Sequence, residues 1–437
     1  HNSRFFFFGC NREGESNSTQ IWTSLCRSDL LNAKVTDIHL GFMDEDTLNT
    51  MVSATLCLSP RLTRTLSSII YRKTKGNPLF VSQLIRSWSK DGLLRLSTSR
   101  GRWEWDEEKI SSQELPDDVA EFLTHSIGKL PEDVKSSLRI LSCFGATSSV
   151  SLIEMLERAL GNNLVDSLDV AVSEGLLDKK DDQYRFSHDR IQEAAYNIMG
   201  YLDRCRFHFN YGMALAPLAA GEEDGSILFA AVSQLNLAGP EAVQDESQNN
   251  IIVANLNLRA GKKAMEMSDF EAARSYFDFG ISFLLKNHWD EHYDLSLELF
   301  DLAAKCSLTN GDIVSLQLIT EQVLAYGRSF QDKLNVMYFV TCSLAYSSRL
   351  PEAIEKGLGI LSKLGIEVRG RESSGVEACV QETKDLLSAY TDDEILNTRR
   401  MTDPTMIMAL KFLGKLDTGM TQIMPETAPY VAQRIIQ

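Results

Sequence analysis

Three short stretches combine residue types that could hold an anion or a flat ring. The first is FFFFGCNREG, where Arg12 follows four consecutive phenylalanines. Such a run suits a strand covered on both faces, as in a parallel sheet. Ligands of such sheets lie beyond the carboxyl ends of the strands, and a guanidinium there holds a terminal phosphate through charge-assisted hydrogen bonds. The plain alternative is a surface arginine behind a core strand. The second stretch is KGNPLF. Gly76 permits close approach, and the rigid Pro78 ring offers a flat face to a ligand such as adenine; the plain alternative is a turn between helices. The third is YRFSHDRIQEAAY. Ser187 is expected to cap a helix whose first turn holds His188 and Asp189, where backbone N–H groups and an imidazole could meet a phosphate oxygen. A capped helix with purely local hydrogen bonds explains the same residues.

None of these stretches makes a catalytic centre. No GxxxxGK[ST] loop occurs: GKL at 128–130, GKK at 261–263 and GKL at 414–416 lack both the Ser/Thr and the upstream glycine. HExxH, GxSxG and the kinase HRD/DFG set are also missing from the sequence. The 7 histidines are dispersed, which argues against a histidine metal site, and the 8 cysteines never form CxxC. Such cysteine usage reads as reduced thiols of an intracellular, cytoplasmic protein. The formal charge of -16 argues against a nucleic-acid partner, because neutralising phosphates needs clustered Lys and Arg. No apolar run approaches the length that spans a bilayer, and the amino end lacks a basic region before a longer apolar one.

The elements that must position the three stretches are mostly helices. Asp44, Glu45 and Asp46 suit the positive end of a helix dipole. Around KGNP, Gly76 is expected to end one helix, Asn77 to cap the next, and Pro78 to occupy its first turn. Trp103 and Trp105 in GRWEWD alternate at strand spacing. Two helices over 116–145 each start with Pro and acidic residues. A helix, EGLL and a short YRFSH strand then follow the order of a winged helix, with the polar DKKDDQ turn as the wing, although no basic recognition helix accompanies it.

From about residue 204 onward the pattern is helical. Three stretches resemble one another: AGKKAMEMSDFEAARSYFDFGISFL, AAKCSLTNGDIVSLQLITEQVL and SLAYSSRLPEAIEKGLGIL. Each predicts a helix, a polar turn (Asp269, Asn310-Gly311-Asp312, Arg349) and a second amphipathic helix, at a spacing of roughly forty residues. Small residues such as Ala272, Ala273 and Ala353 would let paired helices approach closely. Three copies favour a solenoid over an irregular bundle. After about residue 370 helices continue without a fixed register.

Taken in order, GCNR (9–12), KGNPLF (75–80), GRWEWD (101–106), GKLPEDVKSSLRILSCFG (128–145), FSHDRIQEAAYNIM (186–199) and the repeats resemble the STAND class of signalling P-loop ATPases. The likeness is to the predicted AAA-type ATPase module of large multi-domain signalling kinases, and it runs to about residue 366. The resemblance implies that Arg12 is a sensor-type arginine near the γ-phosphate and that Gly76 and Pro78 form a GxP element against adenine. It implies that His188 and Asp189 are a His-Asp element contacting ADP. Asn11 departs from the pattern, where an aromatic is usual. The phosphate-binding loop, its lysine and the Mg-binding acid would lie upstream, so this chain alone should not hydrolyse ATP.

The expected fold class is therefore mainly α: a residual α/β nucleotide-domain strand (1–40), a helical domain with a Trp-containing strand insertion (41–114), a winged helix (115–203) and a TPR-like α-solenoid (204–437). The implied cofactors are ATP/ADP with Mg in the full-length protein, with none bound tightly by this chain alone. The expected partners are proteins, through the helical repeats, with no nucleic acid and no membrane. Self-association through the phenylalanine strand at Phe5–Phe8 is a further expectation, since an uncovered edge invites pairing. The competing class is a non-catalytic scaffold of winged helix and solenoid. A transcription regulator using the winged helix ranks below it, given the acidic balance.

Overall fold

The computed structural model describes residues 38–116, 118–220, 225–243, 247–368, 375–397 and 400–436. The phenylalanine run and Arg12 lie outside the described residues. Chain contacts divide the molecule into two units, His1–Phe122 and Leu123–Gln437.

In the first unit, α1 (Glu45–Leu56) starts where the Asp44 carboxylate accepts the Thr47 N–H at 2.7 Å. It runs through a left-handed Cys57 toward α2 (Pro60–Thr74), and α3 (Pro78–Lys90) follows the KGNP turn. Leu48, Val52, Leu66, Ile70, Val81, Leu84 and Trp88 are fully buried among these helices. One polar group sits inside with its valences met. The Asn49 side-chain oxygen accepts from Thr63 (2.8 Å) and Ser67 (2.9 Å), and its amide donates to the Pro60 carbonyl (3.0 Å). A hairpin of β1 (Leu94–Ser97) and β2 (Arg102–Trp105) pairs Leu94 with Trp105 and Leu96 with Trp103. Strand alternation puts both tryptophans on one face, packed against the helical core. The short α4 (Glu107–Ser112) is capped by Asp106.

The unit division falls in α5 (Val119–Gly128). The second unit continues with α6 (Glu132–Cys143), β3 (Thr147–Ser149), α7 (Val150–Leu160), α8 (Leu164–Ser173), β4 (Leu177–Lys180), β5 (Gln183–Phe186) and α9 (Asp189–Asn197). The strands form an antiparallel sheet in the order β3-β5-β4. Asp181 and Asp182, at φ 50° and 60°, make the tight turn between β4 and β5. Tyr184 and Phe186 point inward. The Tyr184 hydroxyl donates to Asp169 at 2.6 Å and Lys179 donates to the same carboxylate at 2.9 Å, which ties the hairpin to α8. In α8 the sequence LVDSLDVAVS carries two aspartates and no lysine or arginine.

The rest is helical, in accord with a mainly α fold: α10 (Tyr201–Leu215), α11 (Ser226–Ala238), α12 (Ser247–Glu266), α13 (Phe270–Ser282), α14 (His288–Glu291), α15 (Tyr293–Asn310), α16 (Ile313–Tyr326), α17 (Leu334–Tyr346) and α18 (Leu350–Lys363). Then come α19 (Val376–Ser388), α20 (Asp392–Leu396), α21 (Pro404–Ile423) and α22 (Ala428–Ile436). Each packs on near neighbours: α10 on α11, α12 on α13, α13 on α15, α15 on α16 and α17, α17 on α18, and α18 on α21. The three repeated stretches fold as helical hairpins. Their turns each hold one left-handed residue, namely Ser268, Gly311 and Ser348. Asp269 and Asp312 cap the second helix of their hairpins, accepting from Ala272 and Ser315. Arg349 stands at the corresponding place without a side-chain cap. Of the three alanines expected at helix contacts, Ala273 and Ala353 are buried and Ala272 is half-buried, and some glycines lie directly against a facing side chain. A Cβ on Gly261 would lie 2.3 Å from Phe277 Cε1, and one on Gly280 would lie 2.8 Å from Leu299 Cδ2. Among the described residues, no helix is long and apolar enough to cross a membrane.

Candidate functional site

The KGNP turn is built as the residue types demand. Lys75 (φ 50°) and Gly76 (φ 78°) turn the chain out of α2 through left-handed conformations. The Asn77 side chain accepts the Phe80 N–H at 3.2 Å, capping α3, and Pro78 takes its first position. Gly76 itself is buried against the segment before α1, and its carbonyl accepts from Met43 N–H at 2.9 Å. A Cβ there would sit 2.0 Å from the Met43 carbonyl oxygen, so only glycine fits. Pro78 is exposed, and its ring is held on the surface by a capped, buried frame.

At the start of α9 the arrangement differs from the expected serine cap. Ser187 turns back and donates to the carbonyls of Gly175 (2.9 Å) and Leu176 (3.1 Å). The helix is capped instead by His188, in extended backbone, with Asp189 as its first residue. His188 Nδ1 lies 2.6 Å from Asp189 Oδ1 and 3.1 Å from the Arg190 nitrogen. The Arg190 N–H also reaches Asp189 Oδ1, at 2.8 Å. The Arg190 N–H donates both to His188 Nδ1 and to the Asp189 carboxylate, so both side chains cap the start of α9. These contacts hold the imidazole at the start of α9 through Nδ1. Both side chains are half-buried, at the positive end of a helix.

Gly76 and Pro78 thus belong to the first unit and His188 and Asp189 to the second, while Arg12 lies outside the described residues. Among the described residues, no three His, Cys, Asp or Glu side chains gather as a metal-binding group.

Sequence reasoning missed a polar joint in the second unit. His208, on α10, is buried, with Nδ1 2.7 Å from Gln234 Oε1 and Nε2 2.8 Å from the Tyr196 hydroxyl. Gln234 Nε2 donates to the Cys143 carbonyl at 2.9 Å, which fixes the amide's orientation. His208 therefore carries its proton on Nδ1 and accepts from Tyr196 on Nε2. Burial lowers its pKa and holds it neutral. The chain links the end of α6 to α9, α10 and α11. A faint signal was present: in RFHFNYG, His208 shares a helix face with Tyr211, Gly212 and Leu215, all buried. Beside this joint lies a cavity of about 560 Å³.

No family model matches the chain. It is 23% identical over 420 residues to hybrid signal transduction histidine kinase G of Dictyostelium discoideum, an alignment covering 82% of this chain and 12% of that protein. It is 27% identical over 190 residues to the peroxide stress-activated histidine kinase mak3 of Schizosaccharomyces pombe, covering 40% of this chain and 8% of that one. The chain therefore matches only a small part of the length of either relative. Among solved structures it is similar to a Signal Transduction ATPase with Numerous Domains (STAND) protein with a tetratricopeptide repeat sensor from Pyrococcus horikoshii. That likeness has a TM-score of 0.37 and 15% identity, over 94% of this chain and 63% of the other.

Proposed function

We propose that this chain is the regulatory part of a STAND-like, ATP/ADP-dependent signalling switch. In this reading residues 115–203 form a winged helix that holds a nucleotide phosphate, and the helical hairpins bind a protein partner. The observation that carries it is the His188 cap of α9. Its Nδ1 meets Asp189 and the Arg190 N–H, which holds the imidazole at a helix N-terminus, where backbone N–H groups favour an anion. The helix–strand–helix–helix–hairpin order around it is that of a winged helix, and the similarity to a signal transduction histidine kinase over 82% of the chain supports a signalling role. The exposed Pro78 ring, held rigid by Asn77, fits the flat face of an adenine.

Pro78 and His188 are the residues that would meet the organic nucleotide; among the described residues no three His, Cys, Asp or Glu side chains gather beside them. In the mechanism, ADP contacts made by His188 in the winged helix favour a closed form. Exchange for ATP shifts the population to an open form, and the hairpins then engage their partner. The protein is cytoplasmic in this reading.

The test is ADP binding by the full-length protein, measured by calorimetry. His188→Ala should weaken ADP about tenfold or more, the worth of one charge-assisted hydrogen bond. Pro78→Ala should weaken ADP and leave inorganic pyrophosphate binding unchanged. Unaltered ADP affinity in His188→Ala removes the clamp.

One observation favours a second reading, a scaffold without nucleotide. The backbone of Gly76 is fully accounted for by its contact with Met43. Absence of ADP binding by the full-length wild-type protein would establish that reading.

A further inference from the structure

The cavity beside His208 lies wholly within the second unit, between the end of α6 and helices α7, α9, α10, α11 and α13. Its size, about 560 Å³, falls within the range of roughly 300–1,000 Å³ typical of small-molecule sites. Phe229 and Tyr276 stack against each other with centroids 5.6 Å apart and planes at 21°, giving one flat wall, while Phe144 and Tyr196 supply further rings.

The lining contains no Asp, Glu, Lys or Arg, in a protein in which 24% of residues are charged. Arg204 stacks over the Tyr196 ring at 4.9 Å without entering the lining. The one basic lining group, His208, is neutral and has both nitrogens engaged. The Cys143 thiol is pushed up to about 12 by burial, so it stays protonated and is no nucleophile. A charged ligand would lose hydration here and meet no charged side chain in the lining.

Polar capacity is limited but directional. Gln192 Nε2 donates to the Ser142 carbonyl at 3.1 Å, which turns its Oε1 into an oriented acceptor. The hydroxyls of Ser233 and Tyr276 have no hydrogen-bond partner among the described residues and add two groups that donate or accept.

We infer that this cavity binds an uncharged, planar heteroaromatic molecule, stacked on the Phe229–Tyr276 wall and hydrogen-bonded by Gln192, Ser233 or Tyr276. Binding is non-covalent. The site is distinct from the nucleotide contacts at His188, although Gln192 and Tyr196 share helix α9 with that residue. It stands whether or not the chain belongs to a nucleotide switch.

The experiment titrates the intact chain with four probes, reading methyl chemical shifts of Leu152 and Leu237, which line the cavity. Indole and 2-quinolone are neutral and planar; benzoate is a planar anion; cyclohexanol is neutral but not planar. Saturable shifts at both leucines are expected with indole and 2-quinolone, with affinities at least tenfold above those for benzoate and cyclohexanol. Phe229→Ala should lose most of that affinity. Ser233 is exposed, so Ser233→Trp should fill the mouth of the cavity, abolish the shifts and leave the melting temperature unchanged. Absence of saturable shifts, equal binding of benzoate, or full binding by a folded Ser233→Trp variant would overturn the assignment.

Discussion

A methyl group added at Gly76 would meet the Met43 carbonyl at 2.0 Å in a backbone with φ 78°, so it would bring both a clash and strain. Gly76→Ala should cost about 3 kcal/mol, read from the midpoint of urea unfolding of the first unit. Asp301 carries the opposite opportunity. Its carboxyl is largely buried, one oxygen accepts from Asn335 at 2.6 Å, and the other has no partner. Burial pushes its pKa up to about 6, with Asp332 and Glu298 adding repulsion. An acid raised above its unfolded value of 3.8 costs stability above pH 6, and the cost fades as pH falls from about 6 to 3.8. Asp301→Asn should therefore stabilise by about 1 kcal/mol at pH 7.5, with the gain gone near pH 4, in melting curves at the two pH values. At this scale the sequence made Gly76, Asn77 and Pro78 legible, because their backbone demands are local. It misplaced Ser187, whose hydroxyl is claimed by carbonyls at 175 and 176, and it concealed His208, which depends on Gln234 in another helix.

Several glycines in the second unit lie directly against a side chain of the facing helix. With a Cβ at Gly261 only 2.3 Å from the Phe277 ring, Gly261→Ala should push α12 off α13 and cost about 1–3 kcal/mol. Gly414, inside α21, is exposed and has nothing within 4 Å of the same added atom. There Gly→Ala should stabilise by about 0.5–1 kcal/mol through helix propensity. Thermal unfolding followed by circular dichroism checks both signs. The hairpin turns at Asp269 and Asp312 were legible from their caps, and the β4–β5 hairpin from its acidic turn. Strands β1 and β3 were not, since three or four residues carry too little periodicity and owe their state to the partner strand. Nor were the glycine contacts, because only the paired helix shows which small residue faces it.

On the scale of the molecule, the described tryptophans divide between the units: Trp88, Trp103 and Trp105 in the first, Trp289 in the second. Denaturation should therefore proceed in more than one step. The fluorescence transition, dominated by the first unit, should separate from the loss of helical signal, dominated by the second; coincident curves would show one cooperative body. The mainly α class was legible from composition and period. The point of division was not, because it falls within helix α5, where neither linker composition nor a turn marks it. The hairpin stack also bears on how such a chain changes length over generations. Each hairpin of roughly forty residues packs on its neighbours and turns at a single left-handed residue. Duplicating or deleting a whole hairpin would lengthen or shorten the stack by one layer and leave the other layers in register. Inserting one residue inside a helix would rotate everything after it by about 100° and present the wrong face to the neighbour. Descendants of this chain should differ by hairpins gained or lost and by turns lengthened, with helix interiors kept to the residue.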